Sequence, residues 1–304
     1  MVYPSFIALD DKDFDERILM LFERLKNCDI CPRKCGVNRI KGEKGYCNLS
    51  FKAMVSSYGP HFGEESVLVG RNGSGTIFFT SCNLSCIFCQ NYEISHLRTG
   101  EEISEKMLAS VMLKLQNIGC HNINLVSPTS HVPSIVKTTK IAKIEGLKIP
   151  LVYNTNSYES LETLKLLDGI IDIYMPDFKY SDDTLAMKYS DAPNYFEITK
   201  SAIMEMQRQV GDLMTDENNI AVKGLIIRHL VMPEGIAGTE KIVKFIAEKV
   251  SLNAFLNIMD QYHPCFEAFK YPQISRRIIR KELREAIILA HKYGLKKIYK
   301  EVNV

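Results

Sequence analysis

The sequence predicts an α/β chain built on a parallel sheet with helices packed outside it. Two observations carry that prediction. From residue 75 onward, short apolar runs alternate with segments of helical apolar spacing, six times in about 225 residues. Each apolar run also ends in hydrogen-bonding or charged residues, on the side where parallel α/β folds place function. An open doubly wound sheet and a partial barrel both satisfy these observations, and periodicity does not separate them. At 304 residues the chain is long enough for one barrel-sized domain with a small addition.

In order, Phe14, Ile18, Leu21, Phe22 and Leu25 predict an amphipathic helix over 13–26. Residues 51–74 are rich in Gly and Ser and read as a connection. The first strand is Thr76–Thr80. Ser104 then caps a helix whose face is Met107, Leu108, Val111, Leu115 and Ile118, stopped by Gly119. Asn122–Val126 is the second strand, followed by a helix through Val132, Ile135, Val136, Thr139 and Ile144 to Gly146. Leu151–Tyr153 and Ile170–Met175 are the third and fourth strands, with a helix through Leu161, Leu164 and Leu167 between them. A helical region spans 182–210, its second part opened by a capping box at Asn194 and Glu197. Lys223–Val231 is the fifth strand, and Thr239 caps a helix carrying Ile242, Val243, Ile246 and Val250. Phe255–Met259 is the sixth strand, and a last helix runs from Ser275 to Gly294. The expected division is a module over 1–60 and a body over 61–304.

Formal net charge is +2, with 46% apolar and 24% charged residues, so no overall electrostatic footprint for nucleic acid exists. The acidic start, MVYPSFIALDDKDFDERI, lacks the basic and apolar regions of a signal peptide, and no apolar run reaches bilayer length. A cytoplasmic protein is expected. In a reducing compartment its nine cysteines read as metal ligands rather than disulfides, and seven of them fall in two clusters before residue 90.

The first cluster has the spacing Cys28-x2-Cys31-x3-Cys35-x11-Cys47, the full ligand count of a structural site. Gly36, Gly42 and Gly45 allow the tight turns such a knuckle needs. Lys26, Arg33, Lys34, Arg39, Lys41 and Lys44 stand against Asp29 and Glu43, a positive excess suited to an anionic four-thiolate centre. Zinc and an iron–sulfur cluster both fit. The second cluster lies in GTIFFTSCNLSCIFCQNY, with spacing Cys82-x3-Cys86-x2-Cys89. Soft thiolates select iron–sulfur clusters, zinc or copper(I), and three of them leave a coordination position open. A zinc knuckle and three buried free thiols are the competing readings.

The second cluster resembles the C-x3-C-x-φ-C loop of the radical S-adenosylmethionine superfamily, with Phe88 as the aromatic residue. The longer motifs CPRKCGVNR, TSCNLSCIFCQN, YNT, DIYMPDFKY, RHLVMP and NIMDQYHP resemble the PflX-like branch related to pyruvate formate-lyase activating enzymes. The resemblance implies an incomplete (β/α)6 TIM-like barrel. It implies a [4Fe-4S] cluster on Cys82, Cys86 and Cys89, whose fourth iron takes S-adenosylmethionine. One electron from a donor such as flavodoxin or ferredoxin then breaks the S–C5′ bond, and the 5′-deoxyadenosyl radical removes a substrate hydrogen. Oxygen should destroy the cluster. The substrate implied by the activating-enzyme likeness is a backbone glycine in a partner protein.

Residue by residue, Asp177 and Lys179 match the D-x-K element after the fourth strand, and Arg228 matches a fifth-strand arginine near the cofactor. With His263 of NIMDQYHP, Asp177 and Lys179 are the candidate catalytic groups. Phe88, Ser127, Thr129, Asn154, Asn156 and Arg228 are the candidate cofactor contacts. The Gly-Gly-Glu segment that holds the cofactor's amino group in many relatives is missing after the second strand, where Ser127-Pro128-Thr129 stands. His131 and His229 read equally as core histidines, Arg228 as a buried ion pair, and Cys120 and Cys265 as small buried residues. An electron carrier or zinc-binding adaptor is the alternative function. A carrier usually gives each cluster four cysteines, and this loop offers three.

Overall fold

The computed structural model describes residues 4–299. Its strands are β1 (Ala53–His61), β2 (Ser74–Phe79), β3 (Glu101–Ile103), β4 (Ile123–Val126), β5 (Leu151–Thr155), β6 (Ile173–Pro176), β7 (Met214–Thr215), β8 (Ala221–Leu230), β9 (Phe255–Met259) and β10 (Lys297–Tyr299). They form one sheet in the order β10-β9-β8-β6-β5-β4-β2-β1-β3, with β7 antiparallel on β8. Every pairing along β2-β4-β5-β6-β8-β9-β10 is parallel. A doubly wound sheet reverses its strand order at a switch point. Here the parallel strands run in one direction of order, as in a barrel, and among the described residues no pairing joins the two outer ends. The body is therefore an incomplete (β/α)6 barrel on β2, β4, β5, β6, β8 and β9, with β10 added at one edge and the β1–β3 ribbon at the other.

The helices are α1 (Asp11–Arg24), α2 (Ser66–Val69), α3 (Tyr92–Ser95), α4 (Glu105–Ile118), α5 (Val132–Ile144), α6 (Leu161–Lys165), α7 (Asp183–Ser190), α8 (Tyr195–Val210), α9 (Thr239–Phe245) and α10 (Arg280–Lys292). The Ser104 hydroxyl caps α4 at Met107 N, and Gly119 ends it in the left-handed conformation (φ 100°). Leu108, Val111 and Leu115 of its expected face are buried, but Met107 and Ile118 are exposed. Ile144 at the end of α5 is exposed too.

Several expectations are corrected. Residues 51–74 are not a connection. They supply β1 and then α2, whose Leu68 is fully buried and packs with Val152, Ile173, Met175 and Ile226 at the barrel floor. The Ser, Gly and Pro of β1 hid it, and β3 has two exposed glutamates and no apolar face. The fourth parallel strand starts at Ile173, because Ile170 and Ile171 turn back onto Leu167 O. No capping box opens α8. Asn194 has φ 54° and makes no side-chain cap, and Phe196 N instead donates to Asp183 Oδ1 at 2.8 Å. Thr239 is the first helical residue of α9, behind Gly238 as cap. The last helix starts at Arg280 rather than Ser275. The division expected at 60/61 falls inside β1, and Phe6, Phe14, Leu21, Leu25 and Ile30 share one core with the barrel.

Candidate active site at the barrel mouth

The loop after β2 leaves the sheet through Ser81, held at φ 68°, and is then pinned by other elements. Ser85 N and Ile87 N donate to Ser190 O and Tyr189 O at 3.0 Å each, and Ile87 O accepts from Glu267 N at 2.9 Å. That frame sets the three thiols, and each sulfur accepts a hydrogen bond. Asn156 Nδ2 (3.2 Å) and Leu84 N (3.4 Å) donate to Cys82 Sγ. Ser190 Oγ donates to Cys86 Sγ at 3.0 Å, and Ser95 Oγ to Cys89 Sγ at 3.2 Å. Burial pushes the Cys82 thiol up to about 11 and the Cys86 thiol up to about 12.

The donor set fits a thiolate-held cluster, since hydrogen bonds to the sulfurs stabilise and tune thiolate ligands. Among the described residues, no three or more His, Cys, Asp or Glu side chains converge closely enough to hold a single metal ion.

Beside the loop opens a cleft of about 330 Å³, within the range of small-molecule sites. Cys86, Phe88 and Cys89 line it, as do Asn154, Asp177, Lys179 and Arg228 from the ends of β5, β6 and β8. The charged groups form one buried network. Asp177 Oδ2 receives Lys179 Nζ at 2.7 Å and Asp177 Oδ1 receives Arg228 Nε at 3.1 Å. Arg228 also donates to Asn154 Oδ1 at 2.6 Å and Glu64 Oε2 at 3.2 Å. Burial alone would raise the Asp177 carboxyl, but the Lys179 and Arg228 charges hold it below the usual range. The expected ion pairs of Arg228 and of Asp177 with Lys179 are thus present, inside the cleft.

The structure separates the remaining candidates. Phe88 is buried, packed against Tyr180 and Tyr262, and lines the cleft. Asn156 touches Cys82 and Asn83 Oδ1 (2.8 Å) rather than the cleft wall. Thr129 is turned away, donating to the buried Glu159 at 2.6 Å. Ser127, at φ 57°, comes directly after β4 but does not line the cleft. His263 stands at the rim, where its Nδ1 meets Gln90 Nε2 at 3.2 Å. His131 and His229 are core histidines, bound to Thr80 O and Phe178 O, and burial lowers them to about 3 and about 4. Cys120 is buried, and Cys265 is half-buried.

Sequence reasoning missed His61, at the end of β1, and Gly63 and Glu64 just after it, all of which line the cleft. The signal was two adjacent acids, Glu64-Glu65, in a segment otherwise poor in charge.

The four N-terminal cysteines line one separate cavity of about 10 Å³, together with Arg33, Arg39 and Asn83. Tyr46 N donates to Cys35 Sγ at 3.4 Å, and Gly45 passes so close to Cys35 that a Cβ would lie 2.8 Å from its sulfur. Arg33 ties this module to the cluster loop through Asn83 O at 2.9 Å.

The sequence profile of the Radical SAM superfamily matches residues 76–217. An uncharacterized protein of Methanocaldococcus jannaschii is 38% identical over 283 residues, covering 90% of this chain and 77% of that protein. A domain of pyruvate-formate lyase-activating enzyme from Bacteroides vulgatus superposes with a TM-score of 0.41 at 16% identity, over 56% of this chain and 91% of that one. HydG, a maturase of the [FeFe]-hydrogenase, superposes with a TM-score of 0.49 at 12% identity, over 96% and 66%. No helix among the described residues is long and apolar enough to cross a membrane.

Proposed function

The chain belongs to the radical SAM superfamily, and from that premise we propose that it binds a [4Fe-4S] cluster on Cys82, Cys86 and Cys89 and uses it to cleave S-adenosylmethionine reductively. The observation that carries the reading is the hydrogen bond received by each of the three sulfurs of the loop, two of whose cysteines, Cys86 and Cys89, line the cleft. When bound, the cluster and S-adenosylmethionine supply the electron transfer and the 5′-deoxyadenosyl radical that abstracts a substrate hydrogen. The protein's part is positioning. Asn156, Ser190 and Ser95 orient the thiolates. Lys179 and Arg228 present cations for a carboxylate, each already held in place by Asp177. Phe88, Leu230 and Met259 give the cleft its apolar wall.

The substrate reading supported by the motif resemblance is a backbone glycine of a partner protein, with flavodoxin or ferredoxin as electron donor. His263, beside Gln90 of the cleft wall, is our candidate contact for such a chain. The N-terminal quartet is our proposed second metal site, supported by four thiols around one cavity.

Anaerobic reconstitution tests the central claim. About four irons should bind at the loop, with reductant-dependent release of 5′-deoxyadenosine from S-adenosylmethionine. Cys86→Ala should bring that release to background, and unimpaired release by this variant would refute the proposal. Deuterium appearing in 5′-deoxyadenosine from a glycine-labelled partner would identify the substrate class.

A further inference from the structure

The segment after β9, residues 261–271, lies against the cysteine loop and contains a backbone outlier. Phe266 has φ 52°, in the left-handed region. A bulky aromatic residue rarely adopts that conformation, which persists only where surrounding contacts over-determine it. Such contacts lie on both sides of it. Gln90 Nε2 donates to Gln261 O at 3.1 Å, and Glu267 N donates to Ile87 O at 2.9 Å. Between them Tyr262 packs against Phe88, its hydroxyl donating to Ile274 O at 2.6 Å. The segment is thus tied to the loop before and after Phe266.

The ring of Phe266 reaches the other arm of the loop. It stacks on Tyr92, with centroids 5.2 Å apart and planes at 14°, and meets the His96 ring at 4.6 Å. Tyr92 and His96 are four residues apart and share one face of α3 and its cap. α3 has four residues, none of them buried, and a helix that short has no stability of its own. Ser81 N ties its backbone by donating to Ile94 O at 2.8 Å, and Phe266 adds ring contacts at both of its ends.

Two of the loop cysteines depend on where α3 sits. Ser95 Oγ donates to Cys89 Sγ at 3.2 Å, and His96 Nε2 lies 3.0 Å from Cys86 O. A carbonyl oxygen can only accept, so that nitrogen carries the proton and donates. We propose that Phe266 is a positioning residue for the loop. Its left-handed backbone turns the ring onto Tyr92 and His96, and the clamped turn keeps Ser95 and His96 on Cys89 and Cys86. The role rests on the reading of Cys82, Cys86 and Cys89 as cluster ligands, whereas the clamp itself can be measured without a cluster.

The first measurement is amide hydrogen exchange on the cluster-free protein. Phe266→Gly accepts the left-handed backbone but lacks the ring. The hydrogen-bonded amides of residues 94–97 should exchange about tenfold faster in it, and at the wild-type rate in Phe266→Tyr. The second is a redox titration of the anaerobically reconstituted protein. A donor to a ligand sulfur favours the reduced cluster, so Phe266→Gly should disfavour reduction about fivefold, or about 40 mV for one electron. Ser95→Ala should lower the midpoint by a similar amount, and the double variant no further than the larger single change. Phe266→Tyr should keep the wild-type midpoint. Wild-type exchange in Phe266→Gly, an unshifted midpoint, or full additivity with Ser95→Ala overturns the assignment. If Phe266→Gly does not fold, Tyr92→Ala opens the same stack from the α3 side and is judged by the same outcomes. A wild-type chain that takes up no cluster at the loop overturns the underlying reading, and the exchange result separates that failure from a failure of the clamp.

Discussion

The two cysteine regions have nearly mirrored spacings, C-x2-C-x3-C and C-x3-C-x2-C, yet the fold treats them in opposite ways. The N-terminal quartet closes on itself. Its four thiols line a cavity of about 10 Å³, walled by Arg33, Arg39 and the close backbone of Gly45. The loop after β2 is held open, with Cys86 and Cys89 at the edge of a cleft of about 330 Å³. The difference lies in the residues just beyond each run. The quartet is completed by a fourth cysteine on a glycine-rich turn. The loop continues into Gln90 and Asn91, which extend the cleft wall instead. Spacing marks a soft-ligand site, and its surroundings decide whether it is structural or reactive.

The largest test of that contrast sets Cys31→Ser against the loop variant Cys86→Ala. Loss of a quartet ligand should cost stability, about 3 kcal/mol or more, or roughly 5–10 °C in thermal midpoint. Iron at the loop and release of 5′-deoxyadenosine should survive in the fraction that folds. Metal and sulfide analysis of the two proteins together with thermal unfolding makes the comparison. A Cys31→Ser protein with unchanged midpoint and metal content would reduce the quartet to four buried thiols.

Legibility in the sequence divides along the same line between local and non-local. The parallel strands and the loop cysteines were readable because each lies in a local pattern. The apolar runs are contiguous, and the ligands fall within eight residues. Asp177, Lys179 and Arg228 could be placed because parallel strands put their ends on one face. Glu64 and His61 could not, because they reach the cleft through a non-local path set by an antiparallel strand and a floor helix. β1 was lost because its burial fades along its length, from buried Ala53 and Val55 to exposed Ser57 and Tyr58. Thr129 was misplaced because its backbone position gives no sign that Glu159 would draw its hydroxyl inward.

A second, smaller test uses one buried acid from each region. Asp177 at the open site is kept ionised by two cations. Glu159, behind the quartet, has only neutral donors, Thr129 and Thr155, with Oε2 unpaired and Tyr153 and Cys31 nearby. Burial pushes Glu159 up to about 7 from an ordinary value of 4.5. A carboxyl raised on folding contributes stability that is full below its unfolded value and is lost as pH rises through the folded one. Asp177, lowered on folding, contributes above its unfolded value and loses that contribution as pH falls. Denaturant unfolding from pH 5 to 8 should therefore show a decline of order 3 kcal/mol that Glu159→Gln removes. A decline that persists unchanged in Glu159→Gln would place its origin elsewhere.

The smallest effect probes the open site's fine adjustment. Asn156 is fixed before any ligand arrives: its Oδ1 accepts from Tyr158 N at 2.9 Å and its backbone O from Tyr195 at 3.0 Å. Its Nδ2 is thus aimed at Cys82 Sγ at 3.2 Å without further ordering. Reduction adds negative charge to a cluster, so a donor to a ligand sulfur favours the reduced form and raises the potential. Removing one hydrogen bond worth about 1 kcal/mol should lower a one-electron midpoint by about 40 mV. Asn156→Ala should show this in an anaerobic redox titration followed by electron paramagnetic resonance. Asn156→Asp, which removes the donor and adds a negative charge, should move the midpoint further in the same direction. Equal midpoints in all three proteins would mean that the Asn156–Cys82 contact does not tune the site.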